Sequence, residues 1–154
     1  MNYWLIKSEG DCYGIDDLKK DKKTPWSGVR NFQARNFMKD GMKLGDKVLF
    51  YHSNGTKESP TGVYGLAKVA SKSYPDDTAF DKRDDHYDPK SKKENPTWFL
   101  VDMAFVSKFK KPVTLSEIKF EPKLMGIMVA QVGSRLSIQP VSKEHFETIL
   151  KMSS

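Results

Sequence analysis

The sequence predicts an α+β fold, a small mixed and mostly antiparallel β-sheet or barrel with short helices packed around it. Two observations carry this expectation. Five or six short runs rich in aromatic and β-branched residues alternate with capped helical segments in no repeating βαβ order. The 154 residues hold no internal repeat, low-complexity tract or linker, so one domain over 1–154 with one core is expected.

In chain order, Tyr3 to Ile6 has strand character, and Ile15 to Leu18 suits a single helical turn. Asn31 to Asp40 reads as a helix with Asn31 as N-cap and Gly41 as stop, its apolar contacts supplied by Phe32, Ala34, Phe37 and Met38. Val48 to His52 and Val63 to Val69 read as adjacent buried strands joined by a long polar loop. Pro89 to Pro96 is expected as an exposed loop, and the apolar stretch Trp98 to Val106, broken only by Asp102, as a central strand. Thr114 and Glu117 form a capping box, with Val113 and Ile118 as its hydrophobic staple, so a helix starts at Thr114 and stops before Pro122. Leu136 to Gln139 alternates as a short strand, and Ser142 caps a last helix with Phe146, Ile149 and Leu150 on one stripe.

Twenty-six basic against 20 acidic residues give a formal charge of +6, which favours polyanionic partners. Lysines bunch at Lys19, Lys20, Lys22 and Lys23, at Lys90, Lys92 and Lys93, and at Lys108, Lys110 and Lys111, each a possible phosphate edge or simply a solvated surface. Cys12 is the only cysteine, and the first residues lack a signal-peptide pattern, so an intracellular protein is expected. His52, His86 and His145 lie far apart, and no Walker, dinucleotide or nucleophile-elbow motif occurs, so neither a cofactor nor a structural metal is expected. A metal-dependent nuclease would have to use Asp76, Asp77, Asp81, Asp84, Asp85, Asp88 and His86, a run that reads more simply as a loop paired with Lys82 and Arg83.

Several strings are specific when taken together: Tyr3-Trp4-Leu5-Ile6-Lys7-Ser8-Glu9, then Trp26-Ser27-Gly28-Val29-Arg30-Asn31-Phe32-Gln33-Ala34-Arg35-Asn36, Gly45-Asp46 with Phe50-Tyr51-His52-Ser53, and Gly62-Val63-Tyr64-Gly65. Tyr74 to Asp81, Tyr87 to Ser91, Trp98 to Asp102 and Ser134 to Val141 continue the series. Nearly end to end, the chain resembles the EVE domain family, a branch of the PUA-like superfamily related to the YTH readers of methylated RNA. One departure is Gly10, where the family usually has proline.

The resemblance implies a PUA-like barrel that holds one extruded or single-stranded base, of the 5-methylcytosine type or otherwise methylated, in DNA or RNA, without catalysis. Such recognition needs aromatic faces, neutral hydrogen-bonding groups and cations for the flanking phosphates. Trp26, which corresponds to a pocket-wall tryptophan in the related YTH pattern, is the first pocket candidate, with Asn31, His52, Ser53 and Ser8. Arg30, Arg135 and Lys7 are the phosphate candidates, and Ser134, Gln139 and Trp98 are further pocket candidates. Each also has a plainer reading: core packing for Trp26, Trp98 and Trp4, capping and an ion pair for Asn31 and Arg30, a hydrogen-bonded structural role for His52. An enzyme acting on modified nucleic acid and a protein-interaction domain remain as alternatives.

Overall fold

A computed structural model describes residues 1–154. The strands are β1 (Tyr3–Glu9), β2 (Lys23–Pro25), β3 (Lys47–Ser53), β4 (Gly62–Val69), β5 (Tyr74–Pro75), β6 (Phe99–Leu100), β7 (Asp102–Thr114) and β8 (Ile138–Val141). The α-helices are α1 (Ile15–Asp21), α2 (Phe32–Asn36), α3 (Leu115–Phe120) and α4 (Lys143–Met152). Six strands form one curled sheet in the order β2-β7-β4-β3-β1-β8, while β5 and β6 pair separately. Only β1 and β3 run parallel; every other pair is antiparallel. The architecture is the expected mixed α+β half-barrel with short helices around it.

The apolar runs of β1 and β3 are continuous because both faces of the sheet are covered. Strand alternation sends Trp4, Ile6, Val48 and Phe50 to one apolar cluster, with Met38 and Met103. It sends Leu5, Leu49 and Tyr51 to a second, closed by Phe146 and Ile149 of α4 and by Ile118 of α3. Both later helices are capped as expected: Thr114 and Glu117 exchange hydrogen bonds, and the Ser142 hydroxyl accepts from His145 N–H.

Four expectations need correction. Helix α1 extends two turns rather than one, since Ile15 and Leu18 both reach the core. The Asn31-capped helix changes at Phe37 into one wide π-turn, Phe37–Gly41. Gly41 does more than end it, because a Cβ there would stand 2.9 Å from the Trp4 ring. The stretch Trp98 to Val106 is two strands: Phe99–Leu100 pairs with Tyr74–Pro75, and β7 starts at Asp102. Periodicity could not show the break, because the strand-like residues change sheets at Val101 without a glycine or proline. The last strand starts two residues later than expected, although Ser137 O already accepts from Lys7 N–H at 2.8 Å. No helix is long and apolar enough to cross a membrane.

Candidate functional site

Strand β1, the turn before α1, and β2 enclose a hollow of about 280 Å³ lined by Ser8, Tyr13, Thr24, Pro25, Trp26 and Ser27. Trp26 stands half-buried at its wall. Its N–H donates to Val101 O at 3.0 Å, which fixes the residue against the point where the chain changes sheets. Its ring meets Tyr13 edge-on at 6.1 Å and Phe50 edge-on at 5.7 Å, a preferred geometry for aromatic pairs. The Ser8 hydroxyl donates to Tyr13 O at 2.6 Å, and the Tyr13 hydroxyl donates to Asp21 at 2.8 Å. Partial burial and the Asp21 carboxylate push the Tyr13 pKa up to about 12, so the phenol stays neutral. The hollow therefore presents an aromatic corner and neutral hydroxyls with no charged group in its lining, which suits a flat, uncharged heterocycle.

A second hollow, about 420 Å³, includes Asn31, Gln33, Ser134 and Arg135 in its lining. Asn31 Oδ1 accepts from Ala34 N–H at 3.0 Å, and its amide nitrogen has no partner within the chain. Arg135 is exposed and unpaired. Lys7 Nζ donates to Ser134 O at 2.9 Å and burial lowers its pKa, while the buried Gln139 amide donates to Ser134 Oγ at 3.0 Å and Leu136 O at 2.8 Å. Lys7 and Gln139 thus hold the 134–136 segment to the sheet. Ser8 follows Lys7 in β1, and residues 27–31 run from one hollow to the other.

Other expected site residues are placed elsewhere. All five N–H donors of Arg30 are engaged within the chain: with Val29 O, Asp76 Oδ2, Thr78 Oγ1 and twice with His86 O, at 2.8 to 3.1 Å. Its expected phosphate contact is corrected to a clamp between the 26–31 segment and the 76–88 loop. Trp98 is buried, stacks on Phe32 at 5.0 Å and donates Nε1–H to Asp88 at 2.6 Å, so it lines neither hollow. His52 is 9% exposed; its Nε2 accepts from Ile15 N–H at 3.0 Å and its ring stacks on Tyr64 at 4.1 Å. It caps α1, and burial lowers its pKa, so the neutral ring is the stable form. With Ser53 it borders a separate hollow of about 250 Å³.

The absence of a side chain at Gly28 makes room for His86: φ is +86°, and a Cβ there would lie 2.7 Å from the imidazole. Gly10, the position that departs from the family proline, lies against His52: a Cβ there would stand 2.8 Å from Nδ1.

The acidic stretch acts as loop scaffolding. Asp76 accepts from Gly28 N–H, Arg30, and Thr78 N–H and hydroxyl. Burial opposes its ionisation, yet the hydrogen bonds from Thr78, Gly28 and Arg30 hold its carboxyl below the usual range. Asp81, Asp84 and Asp88 each accept from a backbone N–H two residues on, as turn-forming aspartates do.

Tyr13, Thr24, Pro25 and Ser27 were not singled out by the sequence. Tyr13 carried a local cue, an aromatic within the polar Gly10 to Gly14 turn. Thr24 and Pro25 lie on β2, too short to show periodicity.

The EVE domain model matches residues 2–152. Human thymocyte nuclear protein 1 is 41% identical over 169 residues, covering 98% of this chain and 73% of that protein. A Leishmania major protein of known structure superposes with a TM-score of 0.91 at 48% identity, covering 99% of this chain and 94% of that one. Human THYN1 protein, solved in complex with 5-methylcytosine-containing DNA, superposes with a TM-score of 0.88 at 40% identity, covering 100% of this chain and 98% of that one. With the motifs, the sheet topology and these matches in agreement, the chain belongs to the EVE domain family.

Proposed function

We propose that this protein is a non-catalytic reader of nucleic acid, which holds one modified base of the 5-methylcytosine type in the hollow walled by Trp26. The observation that carries this reading is the half-buried Trp26, fixed by Val101 and edged by Tyr13 and Phe50, beside a recess of about 280 Å³ with room for one base. A cytosine edge offers one donor and two acceptors, which the hydroxyls of Ser8, Thr24 and Ser27 can meet, while its ring stacks on the indole. The DNA-bound human relative supports the same ligand class. Arg135, together with the positive charge of +6, supplies attraction for the flanking phosphates.

Absence of turnover fits a recess with no side chain in its lining that exchanges a proton near pH 7. Fluorescence anisotropy with single-stranded oligonucleotides differing only in one base tests the reading. A preference of roughly five- to fiftyfold for the modified base is expected, more than one methyl contact alone supplies. Equal affinities for modified and parent bases would refute the pocket, and magnesium- or manganese-dependent cleavage would refute the non-catalytic role.

A further inference from the structure

Ser134 N–H donates to Gln131 O at 3.1 Å, which closes a four-residue turn with Val132 and Gly133 at its centre. Gly133 has φ +77°, the positive value that the third position of a type II turn requires. Val132 is thereby set at the apex, and the residue is fully exposed, at 106% of the reference area. The turn is rigidly based. Gln131 Nε2 donates to Ile127 O at 3.2 Å, Lys7 Nζ to Ser134 O at 2.9 Å, and the Gln139 amide to Ser134 Oγ at 3.0 Å.

A β-branched side chain is stiff at χ1, and here it points into water from an anchored turn beside the unpaired Arg135. Val132 also lines the hollow that contains Asn31 and Arg135, and Leu136, just beyond it, packs on the same apolar cluster as Trp26. A duplex from which a base has been drawn leaves an unstacked gap, and an apolar side chain inserted there recovers part of the lost stacking.

We propose that Val132 is an intercalating wedge, which enters double-stranded DNA at the place vacated by the base held at Trp26, with Arg135 on the adjoining phosphate. This rests on the reader function above and adds the device by which a duplex, rather than only a single strand, becomes a substrate. A single strand has no partner stack to refill, so the wedge acts on duplex alone.

The test compares wild type, Val132→Ala, Val132→Ser and Trp26→Ala on matched single-stranded and duplex oligonucleotides carrying one 5-methylcytosine. Both Val132 variants should melt like wild type, bind the single strand within about twofold of it, and bind the duplex roughly five- to twentyfold more weakly. Trp26→Ala should weaken both ligands. Duplex binding unchanged by either Val132 variant, while Trp26→Ala still weakens both ligands, would overturn the wedge, leave the reader function standing and free the turn for contact with a protein. Equal losses on both ligands would also overturn it, making Val132 a strand contact. If Trp26→Ala leaves both affinities intact, the reader function itself falls and the wedge with it.

Discussion

Replacing Trp26 by alanine removes the larger of the two aromatic side chains, Trp26 and Tyr13, that line the neutral hollow. Stacking of a base on such a face contributes about 1 to 3 kcal/mol, so affinity should fall by roughly 5- to 150-fold. The same change deletes the edge contacts with Tyr13 and Phe50, at 6.1 and 5.7 Å, each contributing about 0.5 to 1.5 kcal/mol. Stability should therefore drop by a similar 1 to 3 kcal/mol, which for a chain of this size lowers Tm by roughly 2 to 12 °C. Loss of binding through unfolding is separated by working at 15 °C, where the variant stays folded by circular dichroism. Trp26→Leu adds a second control, since it refills much of the volume without a π-face. Anisotropy titration with a labelled strand bearing one 5-methylcytosine reads the result. A folded Trp26→Ala that binds like wild type, or a Trp26→Leu that restores full affinity, would refute the stacking argument.

Arg135→Ala should lower the salt slope of log K for single strands by about 0.7, the loss of one phosphate contact, and affect modified and unmodified bases alike in titrations from 50 to 200 mM salt. Arg30→Ala should instead destabilise, by about 3 to 5 kcal/mol, because it strips Asp76, buried at 1% exposure, of its ion-pair partner; thermal melting checks this. His52 is held neutral by burial, so its folded pKa lies below the unfolded value of ~6.5. Its contribution is complete above that pH and is lost as pH falls through the folded pKa; Tm measured from pH 8 to 5 should decline, and His52→Gln should flatten that decline. Gly28→Ala should cost more than 1 kcal/mol, from the positive φ and from contact with His86; adding His86→Ala should recover only part, because the backbone strain remains.

Local rules carried much of the fold. The Thr114 to Glu117 capping box, the Asn31 cap and the Ser142 cap are contacts between residues three apart, so the chain displays them directly. The β1 and β3 runs were legible for the same reason, but their parallel pairing was not, since register depends on contacts over more than forty residues. At the site, Trp26 and Ser8 line the same hollow although eighteen positions separate them in the chain. Arg30 could not be assigned from sequence, because three of its four acceptors come from a loop some fifty residues away. His52 was ambiguous likewise: a polar end to a buried strand looks the same whether its nitrogen meets a ligand or the Ile15 N–H.

The ties around Trp26 have a kinetic consequence. Trp26 N–H is bonded to Val101, and Gly28 N–H and Arg30 are bonded to Asp76, so the segment that walls the hollow is ordered before any ligand arrives. Folding has already met the entropic cost of ordering that wall, and the proposed capture of an unpaired base would need no loop closure. Association with single strands should follow one bimolecular step, linear in concentration, with affinity differences among bases residing in the dissociation rate. Duplex substrates should depart from this, their observed rate levelling off at the speed with which the double helix itself releases the base.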